Sequence, residues 1–236
     1  MTTRATIFAY CERGLDPAFW AEPLNALTSI AFLAVAALAL RSWRAQPALE
    51  REAFTIGLIG LVAAVGVGSF LFHTLADRWS RLADVAPIGV FMLAYLAFAL
   101  ARFVGLDRGT VAVAITAFAG SVLLAGSIRC GGAACLNGSL GYAPALLALA
   151  AVGGVLAQRS HPAAQSLLAA AALLGLSLVL RTLDQALCPW TILAGHRVGT
   201  HVLWHVLNAG VLALLLGAAI RHGRARGSRP APAARP

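Results

Sequence analysis

Two pairs of polar residues in apolar stretches have the spacing of a metal site. Ser69 and His73 lie four residues apart at the end of one stretch, and His201 and His205 open another with the same spacing. Residues four apart share one face of an α-helix. Three neutral imidazoles leave the fourth position of a zinc tetrahedron open for water, as in catalytic sites. Zinc lowers the pKa of that water to about 7 and polarises carbonyl groups. The spacing therefore predicts hydrolytic chemistry.

Asp84 opens the apolar stretch that follows His73 and adds a carboxylate to this set. A carboxylate beside a metal-activated water can take its proton, and the hydroxyl of Ser69 can orient the water or donate to a developing oxyanion. A lone histidine in an apolar helix is more often a hydrogen-bonded core residue than a ligand. The combination of these groups at matched ends of three stretches is more specific and favours a metal site.

The composition places the chain in a membrane. Of its 236 residues, 60% are hydrophobic and 11% are charged, and the mean hydropathy is +0.81. Soluble domains carry about 25% charged residues, so an ordinary soluble domain is excluded. All 18 basic residues are arginines, and the net charge is +9. These arginines punctuate apolar stretches as membrane-edge anchors do, whereas nucleic-acid binders cluster them on a polar face. No nucleic acid partner is expected, only membrane lipids.

Seven apolar windows approach the roughly 20 residues that a membrane helix needs. They lie at about 23–40, 54–73, 85–101, 110–128, 139–157, 163–180 and 199–220. We therefore predict an all-α protein, a bundle of seven transmembrane helices formed by residues 1–220. The remaining residues, 221–236, are basic and rich in Ala and Pro, and this composition predicts a disordered tail.

The distribution of arginines predicts the orientation of the bundle. Seven spans place the termini on opposite sides, and eleven of the 18 arginines fall on the side of the carboxyl terminus. By the positive-inside rule, the amino terminus lies outside and the carboxyl terminus inside. The end of the stretch that carries His73 and the starts of those that carry Asp84 and His201 then reach the non-cytoplasmic face together.

All four cysteines fall on the side of the amino terminus, where an outward-facing compartment permits disulfides. Cys130 and Cys135 share one loop and form a plausible pair. A bond between Cys11 and Cys188 would tie the amino-terminal segment to the loop before the seventh helix. The alternative is that four small apolar thiols fall there by chance.

At these residues the sequence resembles the alkaline ceramidase family, within a superfamily of seven-helix membrane hydrolases that also includes the progestin and adipoQ receptors. The resemblance spans about residues 8–220, and it rests on Tyr10-Cys11-Glu12, Phe19–Asn25, Gly68–His73, Asp84, Asp184 with Cys188, and His201–His205. It implies a zinc amidase that cleaves ceramide to sphingoid base and fatty acid. His73, His201 and His205 would be the ligands, with Asp84 holding the water and Ser69 assisting. The resemblance also supports the pairing of Cys11 with Cys188.

The resemblance further implies a calcium site in the amino-terminal segment. Glu12 and Glu22 match ligand positions of the family, and Tyr10 matches the residue that gives a backbone carbonyl. Ala9 and Gly14 stand where the animal enzymes have Asp and Asn. Calcium takes about 6–8 oxygens, so the site would have to recruit Asp16, backbone or water, or be weak or absent. The alternative interpretation makes the two glutamates ordinary interfacial acids.

Three classes of function are compatible with this pattern. The leading hypothesis is an integral membrane hydrolase whose substrate, a lipid amide, diffuses into the bundle from the bilayer. The second is a seven-helix receptor with a structural or vestigial zinc site, because an apolar bundle with a polar pocket suits both. A transporter is disfavoured because no charged pathway crosses the middle of the predicted bundle.

Overall fold

Seven helices of 20 to 27 residues are long and apolar enough to cross a membrane in the computed structural model, which describes residues 6–48, 51–131 and 133–223. The predicted all-α bundle of seven helices is thereby confirmed, and the chain is a multi-pass membrane protein. The spans are Pro23–Arg44, Ala53–Leu75, Arg78–Val104, Arg108–Ser127, Cys135–Gln158, Ala164–Leu183 and His201–His222.

Four spans are single α-helices, and the other three are interrupted or change helix type. The α-helices are α1 Pro23–Thr28, α2 Ile30–Arg44, α3 Ala53–Leu75, α4 Arg78–Phe98, α5 Arg108–Ser127, α6 Ala143–Gln158, α7 Ala164–Leu183 and α8 His201–His222. Ser29 separates α1 from α2, a π-helical turn at Ala99–Val104 continues α4, and a 3-10 segment at Cys135–Tyr142 precedes α6. These interruptions leave the seven-span topology unchanged.

Short antiparallel hairpins precede two of the helices on the side of the amino terminus. Strand β1 (Arg129–Cys130) pairs with β2 (Ala133–Ala134) before α6, and β3 (Ile192–Leu193) pairs with β4 (His196–Arg197) before α8. Both predicted disulfides form here. Cys130 bonds to Cys135 beside the first hairpin, and Cys11 bonds to Cys188 in the loop before α8.

Helix α4 begins at Arg78, seven residues before the predicted window. Asp77 accepts a hydrogen bond from the Ser80 amide at 2.8 Å, and the Ser80 hydroxyl accepts one from the Asp77 amide at 3.0 Å. This reciprocal pair is a capping box, which satisfies amides that would otherwise lack partners at a helix start. The sequence predicted that Asp84 opens this helix. In the structure it lies in the second turn of α4.

Helices α3 and α4 touch backbone to backbone at Gly68. A Cβ atom on Gly68 would overlap the carbonyl of Ala83 and would lie 2.9 Å from the amide nitrogen of Asp84. In a regular helix that carbonyl would accept from residue 87, but Pro87 has no N–H. The carbonyl is pressed against the glycine of the neighbouring helix. This contact fixes the start of α4, and Asp84 with it, beside Ser69.

The start of α8 is held by a buried carboxylate. Asp184 accepts hydrogen bonds from the amides of Cys11, Thr200 and His201 at 2.7 to 2.9 Å. A carboxylate at a helix amino terminus stabilises the unpaired amides and the helix dipole. Gly199 has a φ of 73°, and a side chain there would collide with Asp184. The first turn of α8 is therefore fixed to the amino-terminal segment.

The carboxyl end of the bundle differs slightly from the predicted boundary. Helix α8 continues through Arg221 and His222, two residues that the sequence analysis assigned to the tail. Gly223 follows the helix, and residues 224–236 of the predicted tail lie outside the described residues.

We expect the replacement Gly68→Ala to separate α3 from α4. Because the added methyl group meets fixed backbone, the free energy of unfolding should fall by about 1–3 kcal/mol. Gly60→Ala, on the same helix, is the matched control, since a Cβ there has no neighbouring atom within 4 Å. It should leave the stability unchanged or raise it by up to about 1 kcal/mol, because Ala has the higher helix propensity. Denaturant unfolding in detergent measures both, and equal stabilities of the two variants would contradict the close contact.

Candidate metal centre

Three buried histidines converge near one end of the bundle. His73 lies in the last turn of α3, and His201 and His205 lie in the first two turns of α8. One ring nitrogen of each lies within 4.8 Å of the others. The Nε2 atoms of His73 and His205 are 3.2 Å apart. The structure thus brings together the three residues whose spacing predicted a metal site.

Glu22 fixes the proton on one of these rings. Its Oε2 lies 2.6 Å from Nδ1 of His73. Burial raises the pKa of Glu22, but the hydrogen bonds and charges of His73 and Arg13 outweigh this effect and hold the pKa below its usual range. An ionised carboxylate can only accept. Nδ1 of His73 therefore donates, and Nε2 carries a lone pair when the ring is neutral.

Thr28 contacts the second ring in a similar way. Its hydroxyl lies 2.9 Å from Nδ1 of His205 and 2.8 Å from the carbonyl of Leu24, one turn earlier. A hydroxyl has one proton. When Thr28 donates this proton to the carbonyl of Leu24, its oxygen accepts from Nδ1 of His205, and Nε2 of the neutral ring carries a lone pair.

When both rings are neutral and carry their protons on Nδ1, two imidazole lone pairs face each other. This arrangement is repulsive unless a cation lies between the nitrogens. In a tetrahedral zinc site with Zn–N distances near 2.0–2.1 Å, the ligand nitrogens are about 3.3 Å apart. His201 contributes a third imidazole, whose Nδ1 is buried and has no hydrogen-bond partner among the described residues. The donor set of His73, His201 and His205 therefore fits a zinc ion.

Tyr10 packs against this cluster from the amino-terminal segment. Its ring stacks on that of His201 with centroids 3.7 Å apart. Burial raises the pKa of Tyr10 to about 12, so the hydroxyl remains neutral. Arg181 donates to this hydroxyl at 3.1 Å, and its guanidinium lies over the rings of Trp204 and Tyr142. The stacked ring leaves His201 little freedom to rotate.

The two residues predicted to assist the reaction lie in the same place. The hydroxyl of Ser69 is 3.3 Å from Nε2 of His205 and 3.0 Å from the hydroxyl of Ser29. Asp84 lines one cavity together with Ser69, His201 and His205. A carboxylate and a hydroxyl therefore border the space next to the histidine cluster.

This polar cavity adjoins a second cavity that is almost wholly apolar. The two share five lining residues, which are Phe32, Val65, Ile88, Tyr142 and Trp204. Two of the polar side chains that line the apolar cavity form hydrogen bonds within the protein. Tyr95 donates to the carbonyl of Leu215, and Asn208 donates to Ser177 and to the carbonyl of Trp204. The apolar cavity therefore suits a hydrocarbon chain with its polar end at the histidines.

The carboxylate of Glu12, expected to bind calcium, instead caps a helix. Its two oxygens accept from the amides of Leu24 and Asn25, at the start of α1, at 2.7 and 2.9 Å. These bonds satisfy amides that lack partners inside the helix. In this structure both carboxylate oxygens of Glu12 therefore accept hydrogen bonds from backbone N–H groups.

The other expected calcium ligands are engaged in the same way. Glu22 pairs with Arg13 through Oε1 and with His73 through Oε2. The carbonyl of Tyr10 accepts from Gly14, and the side chain of Asp16 accepts from the amide of Ala18. Calcium requires about 6–8 oxygens free to coordinate it. Because these oxygens point at N–H groups, this donor set does not fit a calcium ion.

Several residues that hold the site have contacts that were not predicted from the sequence. Thr28 and Ser29 are polar residues within the first apolar window, at helical spacing from Asn25, and this pattern could have indicated them. Arg181 stacks on rings contributed by residues 10, 142 and 204. No local pattern indicates such a cluster, because its members are distant in the sequence.

Comparison with known protein families covers nearly the whole chain. The family model described as Ceramidase matches residues 6–228. The match includes the histidine cluster, Ser69, Asp84 and the amino-terminal segment together. No curated protein matches the chain.

We expect the purified protein to contain about one zinc ion per chain. His73→Ala and His205→Ala remove ligands, and both should reduce the bound zinc to a small fraction of the wild-type content. His196→Ala is the control, because this histidine is exposed on β4. Plasma mass spectrometry of the dialysed proteins measures the metal, and equal zinc in all four proteins would contradict the assignment of the site.

Proposed function

Because this chain belongs to the ceramidase family, we propose that it is a zinc-dependent membrane amidase. It hydrolyses the amide bond of ceramide, or of a related lipid amide, to a sphingoid base and a fatty acid. The observation that carries the proposal is the convergence of three buried imidazoles, in which Nε2 of His73 and Nε2 of His205 lie 3.2 Å apart and Nδ1 of each ring contacts Glu22 or Thr28. This set of nitrogens supports a metal ion beside the polar cavity.

His73, His201 and His205 would hold the ion. When bound, zinc supplies a Lewis acid that polarises a carbonyl and lowers the pKa of water. Asp84 accepts the proton that the attacking water loses as the new C–O bond forms. The same carboxyl then delivers the proton to the amide nitrogen as the C–N bond breaks, which releases the amine and the carboxylic acid. Ser69 orients the water or donates to the oxyanion.

The two adjoining cavities support a lipid substrate. The amide and the hydroxyl groups of its headgroup would occupy the polar cavity, which Arg81, Asp84 and Arg181 also line. A hydrocarbon chain would extend past Trp204 into the apolar cavity. Because the hydrocarbon chain of a substrate that enters from the bilayer leaves one apolar environment for another, the apolar cavity acts through the packing of this chain and not through its removal from water. The hydrocarbon chain of the substrate and its polar contacts would thus together set the position of the amide relative to the histidines.

We further propose that this site faces the non-cytoplasmic side, with the amino terminus outside and the carboxyl terminus inside. Two observations support this orientation. Most of the arginines lie on the side of the carboxyl terminus. Both disulfides, Cys11 with Cys188 and Cys130 with Cys135, lie on the side of the histidine cluster, and disulfides persist in oxidising compartments.

The variants His205→Ala and Asp84→Asn test the proposed reaction. We expect His205→Ala to abolish the release of fatty acid from ceramide in mixed micelles. Asp84→Asn should lower kcat by about 10²–10⁴, the usual contribution of a general base. Asp107→Asn is the control for removal of a carboxylate, because it caps α5 away from the site and Asn caps equally well. Unchanged turnover in His205→Ala would exclude the metal mechanism, and a zinc-loaded wild type that cleaves no lipid amide would favour a receptor.

Reporter fusions test the proposed orientation. Alkaline phosphatase is active only outside the cytoplasm, so a fusion to the full chain should be inactive. A fusion truncated after Leu183, at the end of the sixth span, should be active and serves as the matched control. The reverse result for the two fusions would contradict the orientation.

A further inference from the structure

Arg13 is a fully buried cation in the amino-terminal segment. Its side chain is 0% exposed. Nε donates to Oε1 of Glu22 at 2.5 Å, and Nη1 donates to the carbonyls of Asp16 and Ala18 at 3.2 and 3.0 Å. Nη2 donates to the carbonyl of His73 at 2.8 Å. Four of the five N–H groups of a guanidinium are therefore used, and every acceptor is an oxygen.

Two of these contacts act on the same histidine. The carbonyl of His73 lies in the last turn of α3, where carbonyls lack intrahelical partners. The amide of Asp77, four residues further on, is instead bonded to the hydroxyl of Ser80. Arg13 satisfies this carbonyl and places a positive charge at the helix end that favours one. Through Glu22, whose other oxygen accepts from Nδ1, it also holds the imidazole ring.

The oxygens around Arg13 are of the kind that a hard divalent cation binds. They comprise one carboxylate oxygen and the three carbonyls of Asp16, Ala18 and His73. Carboxylate and carbonyl oxygens are the usual ligands of calcium. In this chain a guanidinium, covalently part of the protein, lies among them. This explains why the glutamates of the segment do not fit a calcium ion.

The amino-terminal segment has a separate attachment to the bundle. Cys11 is bonded to Cys188, and its amide donates to the buried carboxylate of Asp184. Arg13 is therefore not the sole connection between this segment and the helices. We therefore interpret its contacts with Glu22 and with the carbonyl of His73 as holding His73 in place, because the disulfide already anchors the segment.

We propose that Arg13 is a positioning residue. It serves as a built-in cation in place of calcium, and it holds the backbone of His73 directly and the ring of His73 through Glu22. It thereby keeps the lone pair of Nε2 aimed at the candidate metal centre without any need for calcium. The effect on His73 rests on the proposed zinc site, whereas the replacement of calcium does not.

The zinc affinities of Arg13→Gln, Glu22→Gln and the double variant test the link to His73. Loss of a group that orients a metal-bound histidine typically weakens metal binding 10–100-fold, and we expect this from each single variant. Because one of the two contacts of Arg13 with His73 passes through Glu22, the double variant should lose less affinity than the two single losses combined. Arg13→Lys retains the charge but not the planar fork, so it should be intermediate. Arg78→Gln, on the exposed start of α4, is the control and should bind zinc as the wild type does.

Chelator competition measures these affinities, and thermal unfolding of the zinc-free proteins separates positioning from folding. A lower unfolding temperature of the zinc-free Arg13→Gln protein with unchanged zinc affinity would show a purely structural role and overturn the link. So would additive losses in the double variant. If Arg13→Gln does not fold, the comparison of Arg13→Lys with Arg78→Gln decides by the same measurement.

Addition of calcium tests the second part of the proposal on the wild type. In metal-free buffer, millimolar Ca²⁺ should not raise the unfolding temperature beyond the effect of Mg²⁺, and dialysed protein should contain no calcium. A calcium-specific stabilisation that is lost in Glu22→Gln would overturn the proposal. Absence of zinc from the wild type would refute the proposed function and leave this calcium result to stand by itself.

Discussion

The structure of the site depends on two imidazole nitrogens that face each other, Nε2 of His73 and Nε2 of His205, 3.2 Å apart. On the opposite edges of the rings, Nδ1 of His73 is hydrogen-bonded to Glu22 and Nδ1 of His205 to Thr28. In an apolar bundle the interaction between such groups is stronger than in water, so an unpaired buried lone pair is costly. The surrounding residues are therefore arranged for a cation. Tyr10 stacked on His201 and Ser69 beside His205 belong to the same arrangement.

The unpaired backbone groups at the ends of helices connect the amino-terminal segment to this site. Glu12 accepts hydrogen bonds from backbone amides at the start of α1, and Asp184 accepts them from amides at the start of α8. Arg13 donates to a carbonyl at the end of α3. Backbone polar groups in a membrane must be satisfied inside the protein. The same side chains that satisfy them hold His73 and His201, so local helix stability and ligand geometry have a common source.

The parts of the structure that the sequence predicts are those that depend on local pattern. Apolar windows indicate the seven spans, and four-residue spacing indicates that Ser69 and His73 share a helix face. The predicted start of α4 was too late because the apolar window leaves out polar residues such as Arg78 and Ser80. Asp77 and Ser80 nevertheless have the spacing of a capping box. The roles of Arg13 and Arg181 could not be predicted, since their partners come from distant parts of the chain. The order of the helices in the sequence does not fix such contacts.

A guanidinium and a calcium ion differ in how their contribution depends on the surroundings. A dissociable ion stabilises a fold by an amount that grows with its free concentration, so a calcium site would couple the position of His73 to the calcium level outside the protein. Arg13 is part of the chain, so its contribution does not depend on the calcium concentration. The planar fork of arginine also imposes directions on its acceptors, whereas calcium accepts flexible coordination. The pairing of Arg13 with Glu22 and with the carbonyl of His73 therefore fixes the orientation of the histidine, which a loosely coordinated ion would leave adjustable.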